Sequence, residues 1–249
     1  MRDTCRARIN WSPRGNRLEW RIAYSTHATM NMFSALRDAW YFFSHNLAAI
    51  AYLCLPLIVL EGLLLQQVTR LVAAESATPW RLLAGLLFYP LYSAALILFV
   101  DARSQGLQPR ARDLLATSLR LWPSFALLAG LNTLAILLGA SLFVLPGIWL
   151  MVKLAFAEYL LVLRGLSPIK ALHDSFQLST GYLWPMLGCI LIVMLPLWLL
   201  DSWSHSSEAL ADNALASLLL DCASRFLQLF SSVVLFRLFM LRSAQPDVE

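Results

Sequence analysis

The apolar positions of the chain fall into six long runs separated by polar segments. Most of these runs are close to the ~20 residues that a helix needs to cross a bilayer. Their length, and the lack of alternating polar positions within them, excludes membrane-spanning strands. The pattern therefore predicts an all-α, polytopic membrane bundle of about six transmembrane helices. The runs cover residues 46–68, 80–100, 124–144, 147–163, 183–200 and 222–241.

Amphipathic segments precede runs one, three and five, and their spacing predicts interfacial helices on the cytoplasmic side. One tryptophan stands in or just after each segment, a position typical of the membrane interface, so Trp40, Trp122 and Trp184 are predicted anchors. The chain then reads as three copies of an interfacial helix followed by a hairpin; the alternative is that multispan proteins commonly have amphipathic loops. The predicted apolar faces are Met32, Phe33, Leu36, Trp40 and Phe43; Leu115, Leu119 and Trp122; and Ile169, Leu172 and Phe176.

The distribution of Arg and Lys predicts how the chain is oriented. Fifteen of these residues lie in the N-terminal tail and on alternate sides of the runs, against three on the other sides: Arg70, Arg81 and Arg225. Lys153 lies inside run four and belongs to neither set. Because cytoplasmic loops carry the excess of positive charge, both termini are predicted to be cytoplasmic.

Composition supports the same class of protein and suggests three regions. Hydrophobic residues make up 59% of the chain and charged residues 14%, whereas about a quarter of a soluble domain is charged. Residues 1–29 are predicted to be a disordered basic tail or a non-native extension, because Met30 and Met32 are alternative starts; attraction of the tail to anionic lipid is a third possibility. Residues 30–242 form one six-span domain whose first run is a retained anchor, and 243–249 form a short cytoplasmic tail.

Ionisable residues within the runs are the candidates for a functional site, because such groups are costly inside a membrane. They are Glu61, Lys153 and Glu158. Lys153 and Glu158 lie about 140° apart around a helix and so do not pair with each other. In a functional interpretation, Glu158 meets a partner on another helix or lines a polar cavity. In a structural one, Lys153 reaches outward to the interface and Glu158 is satisfied locally.

Glu61 and three further polar residues near the ends of the runs also have structural interpretations. Glu61 and Arg237 are placed where each can reach an interface, and Asp221 and Arg225 have the spacing of an ion pair at the outer edge. These interpretations assign no special role to the four residues.

Catalytic and cofactor-binding motifs are missing from the sequence. There is no HExxH, GxSxG or P-loop pattern, and the four cysteines lack metal-ligand spacing. His173 and Asp174 are adjacent, but neighbouring helical side chains point about 100° apart. The basic excess follows topology and forms no concentrated face for nucleic acid. We therefore expect no enzyme activity, no catalytic, cofactor or metal residues, and no nucleic-acid partner.

Two stretches resemble the YciC family of uncharacterised bacterial inner-membrane proteins. They are LFVLPGIWLMVKLAFAEYLLVLRGLSPIKALHDSFQLSTGYLWPML at 142–187 and LFRLFMLR at 235–242. The resemblance extends from about Met32 to Arg242. A similar layout, with a tight turn at Pro146 and Gly147 followed by an Ala-Leu-x-x-Ser helix, is found in the membrane part of some glycerophosphodiester phosphodiesterases. The family implies a multi-pass protein with a role in envelope integrity and supplies no catalytic residues.

The function predicted from pattern and resemblance together is a non-enzymatic contribution to cell-envelope or membrane-lipid homeostasis. The expected partners are membrane lipids, with other inner-membrane proteins as further candidates. The alternative is a transporter of small solutes or lipids, or its substrate-binding membrane subunit, in which Glu61, Lys153 and Glu158 face a common polar cavity. A membrane enzyme built on His173, Asp174 and another acid is the third candidate.

Overall fold

The computed structural model describes residues 32–71, 77–180, 183–206 and 214–243, and in these residues all regular structure is helical. The predicted tail 1–29 lies outside the described residues, as does most of the predicted tail 243–249. The helices are α1 Met32–His45, α2 Leu47–Leu71, α3 Ala77–Ser104, α4 Ala111–Leu142, α5 Val144–Leu154, α6 Ala157–Arg164, α7 Pro168–Leu178, α8 Leu183–Ser206 and α9 Ala214–Ser243.

Five segments of the described chain are long and apolar enough to cross a membrane, so the prediction of an all-α, multi-pass membrane protein is confirmed. The fourth segment consists of α5 and α6 in succession. The fifth predicted run corresponds to α8, a helix of 24 residues. Its apolar part among the described residues is the shorter Met186–Pro196, so a sixth crossing stays a prediction. The five segments are Leu47–Val68, Pro79–Ser104, Ala111–Leu142, Leu145–Arg164 and Leu218–Arg242.

Helix α3 lies at the centre of the bundle, where it packs against α2, α4, α6 and α9. Its second half is almost entirely buried, including Ala94, Ala95 and Leu96. Small residues here let the neighbouring helices approach closely, which is how helices associate where the surrounding lipid is as apolar as leucine. Ser93, a buried polar residue beside these positions, therefore faces other helices.

The second predicted interfacial helix is not a separate element. Residues 111–142 form one continuous helix of 32 residues, with Pro123 inside it. Proline removes one backbone hydrogen bond, but ending the helix inside a bilayer would leave several backbone groups unpaired. The first amphipathic segment, α1, is separated from α2 only by Asn46, whereas α7 is a distinct helix.

The α4–α5 hairpin reverses at Phe143, whose backbone is extended, with φ −161° and ψ 155°. Pro146 and Gly147 were predicted to form this turn, but they lie in the first turn of α5. Glycine is needed here for close packing instead. A Cβ on Gly147 would lie 2.9–3.0 Å from atoms of Ala140, and one on Gly139 would lie 3.1 Å from the Cα of Gly147.

Candidate functional site

Glu61 on α2 forms an ion pair with Arg225 on α9, and their Oε1 and Nη1 atoms are 2.7 Å apart. The Glu61 side chain is 1% exposed and that of Arg225 is 37% exposed. The helices meet closely at the next residue, because a Cβ on Gly62 would lie 2.9 Å from Leu218 Cδ1. Glu61 was expected to reach an interface; the structure instead buries it against a helix at the other end of the chain.

Arg225 was predicted to pair with Asp221, and the structure brings it to Glu61. The second carboxylate oxygen of Glu61, Oε2, is buried and has no hydrogen-bond partner among the described residues. A buried carboxylate is tolerated only when its charge is paired. Arg225 thus holds Glu61 in the bundle through one of its two oxygens.

Glu158 on α6 is held by two hydroxyl groups of α3. Tyr89 donates a hydrogen bond of 2.6 Å to Oε1, and Ser93 donates one of 3.2 Å to Oε2. The Tyr89 bond has the length typical of a hydroxyl bonded to a charged oxygen. Glu158 therefore meets partners on another helix, which was the requirement set by the functional interpretation.

Tyr89, Tyr92 and Ser93 lie on one side of α3, and we call this set the tyrosine face. The two tyrosine rings pack edge to face with centroids 5.7 Å apart. The Tyr92 carbonyl accepts a hydrogen bond of 3.8 Å from Cys54 Sγ on α2. The tyrosine face therefore contacts both α2, which carries Glu61, and α6, which carries Glu158.

Lys153 is almost fully buried, at 4% exposure. Its Nζ donates to Thr180 Oγ1 at 2.8 Å and to the Phe176 carbonyl at 3.3 Å, and it lies 4.7 Å from the centroid of the Phe176 ring. Lys153 therefore does not reach outward as the structural interpretation expected. Its ammonium instead stabilises the C-terminal end of α7, where backbone carbonyls lack helical partners.

Two serines to which the sequence analysis gave no role stabilise the break between helices α5 and α6: Ser175, the serine of the Ala-Leu-x-x-Ser motif in α7, and Ser179, the residue that caps the end of α7. Ser175 Oγ donates to the Lys153 carbonyl at 2.9 Å and accepts from the Phe156 N–H at 3.2 Å. Ser179 Oγ lies 3.1 Å from the same carbonyl. The sequence pattern that could have indicated this contact is the spacing of the small residues Ala171, Ser175 and Ser179, which places them on one side of a helix. All three are fully buried in the structure.

The three intramembrane candidates are thus held by different groups: Glu61 by Arg225, Glu158 by the tyrosine face, and Lys153 by α7. Glu61 and Glu158 lie on α2 and α6, and both of these helices pack against α3. Lys153 points to α7 instead. This arrangement can hold buried charge between helices.

The predicted tryptophan anchors differ in their surroundings. Trp40 and Trp184 are 60% and 82% exposed, and Trp40 also packs edge to face with Phe230 at 5.5 Å. Trp122 instead donates from Nε1 to the Leu87 carbonyl at 2.8 Å. Trp122 therefore ties α4 to the turn of α3 that precedes Pro90.

The remaining candidates for chemistry are a metal site, the cysteines and His173, and of these Cys54 contacts the tyrosine face. Among the described residues, no group of three or more His, Cys, Asp or Glu side chains is placed to hold a metal ion. Cys54, Cys189 and Cys222 are buried free thiols. His173 Nδ1 is 3.5 Å from Asp174 Oδ1, and the His173 side chain is exposed at 70%.

A family model matches residues 65–241, which is more than half of the chain. The chain belongs to the uncharacterised protein family UPF0259. UPF0259 is the YciC family, so the resemblance found in the sequence is confirmed. The match includes Lys153, Glu158 and Arg225 but begins after Glu61, and it does not reach the 32–64 segment that the resemblance was expected to include. No solved structure matches the chain.

Proposed function

We propose that this protein is a non-enzymatic component of the bacterial inner membrane that contributes to envelope or membrane-lipid homeostasis by contacting lipid through α1, α7 and the start of α8. One observation carries the proposal. These three elements expose large apolar side chains, with Trp40 at 60%, Ile169 at 75% and Trp184 at 82%. Family membership is consistent with the proposal but assigns no activity.

Lipid is the partner that best fits these surfaces. Arg37 on α1 and Lys170 on α7 are exposed on the same helices as the apolar side chains. Aromatic residues suit the level of the headgroups, and cations are attracted to anionic lipid there. Other inner-membrane proteins are further candidates, and nucleic acid is not among the proposed partners.

The test is a strain in which the gene for this chain is deleted. We expect the deletion to increase uptake of a hydrophobic fluorescent probe and to change the phospholipid composition. The wild-type gene should reverse both effects. A Trp40→Ala/Trp184→Ala variant should reverse them less well at equal expression, because exposed aromatic anchors are lost.

The matched control is Leu134→Ala, which removes an exposed apolar side chain from α4 and should behave as wild type. A deletion strain with unchanged probe uptake and unchanged lipid composition would rule the proposed role out. Full complementation by the double variant would show that α1 and α8 do not act through their tryptophans.

A transporter is the second candidate, and the observation that favours it is the pair of carboxylates beside the tyrosine face. In a membrane protein, ionisable groups held between helices commonly mark a solute or ion pathway. The test is native mass spectrometry of the protein in lipid nanodiscs. A transporter should retain a small solute that is lost in Glu158→Gln and kept in the control Asp113→Asn, whose side chain is exposed on α4. Identical spectra for all three proteins would remove this candidate.

A further inference from the structure

An apolar groove with a volume of about 190 Å³ lies between α1, α8 and α9. Its walls come from helices at opposite ends of the chain. The side chains that matter for the argument are Leu36, Trp40 and Phe43 on α1, Pro196 on α8, and Leu227 and Phe230 on α9.

Aromatic contacts fix the inner wall of this groove. Phe43 is buried, and its ring packs against those of Phe226 and Phe230 at 5.8 and 5.5 Å. Trp40 packs edge to face on Phe230 but leaves most of its own surface exposed. The groove therefore has a packed aromatic floor, with the exposed Trp40 as one rim.

The position of the groove limits what can fill it. Leu227 and Phe230 lie within the membrane-crossing segment Leu218–Arg242, so the medium that reaches the groove is lipid. Ordered water would need two to four polar partners, which this apolar lining does not offer. A hydrocarbon chain matches both the lining and the surroundings.

The charges beside the groove favour an anionic headgroup. Arg37 is exposed and directly follows Leu36, which lines the groove. Asp38, the next residue, forms an ion pair of 3.1 Å with Arg237 on α9. Because Arg237 neutralises Asp38, this end of α1 carries the net positive charge of Arg37, which attracts phosphate near the membrane surface.

We propose that the groove binds one acyl chain of an anionic glycerophospholipid, with the lipid phosphate against Arg37. This inference deepens the proposed lipid-contacting function and rests on it. It assigns a defined lipid position to α1, in addition to its general contact with the membrane.

The experiment uses the full chain reconstituted in bilayers with equal amounts of phosphatidylethanolamine and phosphatidylglycerol, followed by gentle extraction and native mass spectrometry. We expect one retained phosphatidylglycerol per chain. Trp40→Ala and Leu227→Trp should each lose this lipid, the first by opening the rim and the second by filling the groove. Arg37→Gln should keep a lipid but lose the preference for phosphatidylglycerol.

Trp80→Ala is the matched control, because it removes an exposed tryptophan of α3 that does not line the groove, and it should retain the lipid. Equal retention in Trp40→Ala and Trp80→Ala would overturn the inference. So would a retained lipid mixture equal to that of the bilayer, or a second copy of the chain that replaces the lipid and is lost in Leu227→Trp.

Failure of this inference is distinguishable from failure of the proposed function. A deletion phenotype without a retained lipid would overturn the groove assignment alone. A retained lipid without a deletion phenotype would support the groove and overturn the role in homeostasis.

Discussion

Individual polar side chains inside this bundle depend on partners from other helices. Glu61 uses Arg225, Glu158 uses Tyr89 and Ser93, and the backbone carbonyl of Lys153 uses Ser175. Hydrocarbon offers no replacement when such a partner is removed. Substitutions at these positions should therefore cost more than substitutions of exposed polar residues.

The Glu61–Arg225 pair provides a direct test. Arg225→Met leaves a buried carboxylate unpaired and should lower the free energy of unfolding by about 3 kcal/mol, the low end of the usual range because Arg225 is partly exposed. Adding Glu61→Leu should recover much of this loss. The measurement is the melting temperature in detergent. It is obtained from the fraction of protein that stays monodisperse after heating to increasing temperatures.

Arg81→Met is the control for that pair, because Arg81 is an exposed arginine near the start of α3. It should melt as wild type does. Equal melting temperatures for Arg225→Met and Arg81→Met would mean that the ion pair contributes no stability.

The serines at the α5–α6 interruption provide a second test. Ser175→Ala/Ser179→Ala leaves the Lys153 carbonyl without its hydroxyl partners, and an unsatisfied buried acceptor costs about 1–3 kcal/mol. The double variant should melt at a lower temperature. Ser141→Ala is the control, because its hydroxyl is exposed and bonds within its own helix; a loss of the same size there would show that the interruption is not the cause.

At the scale of helices, the α4–α5 hairpin is closed by backbone contact. Gly139 and Gly147 face each other across it, and Ala140 packs directly on Gly147. Small residues at such a crossing replace side-chain packing with close approach of two backbones. The hairpin geometry is therefore sensitive to added volume at these positions.

Gly147→Val should force α4 and α5 apart, because its Cβ would lie about 3 Å from the backbone of Ala140. Overpacking of this kind typically costs about 1–3 kcal/mol. Lower yield and a lower melting temperature in detergent are expected. Gly85→Ala is the control, since nothing lies within 4 Å of the added Cβ, and it should match wild type; equal values for Gly147→Val would contradict the close crossing.

At the scale of the whole molecule, the first and last crossing segments are joined around the central helix α3. Glu61–Arg225 ties α2 to α9, and Asp38–Arg237 ties α1 to α9. The charge distribution predicts that both chain ends lie on the cytoplasmic side. That arrangement would require an even number of crossings, so the charge distribution also predicts that α8 crosses the membrane in addition to the five segments.

Cysteine accessibility in whole cells tests this topology in a variant lacking the native cysteines. Gln108→Cys should be protected from a membrane-impermeant maleimide, and Phe143→Cys should react. A reporter that is active only in the cytoplasm should be active when it is fused to the C-terminus. A C-terminal reporter on the outer side, with Gln108→Cys still protected, would mean that α8 does not cross.

Some features of the molecule follow from the sequence because they are local. Apolar run length and helical backbone pairing determine the all-α membrane class without reference to any other part of the chain. The family resemblance likewise rests on the continuous stretches 142–187 and 235–242. The positions of Glu61, Lys153 and Glu158 within apolar runs also marked them as exceptional. The free-energy cost of an ionisable group in a membrane depends on where it lies in such a run.

Tertiary structure alone decided which groups meet. Glu61 and Arg225 are 164 positions apart, and no periodicity in a single helix relates residues so distant. The burial of Ser175 and Ser179, the support that Trp122 gives to α3, and the close packing at Gly147 likewise depend on which helices lie side by side. The sequence by itself determined that the chain forms membrane helices, because each helix satisfies its own backbone; the structure decided how their polar side chains are satisfied, because those partners belong to other helices.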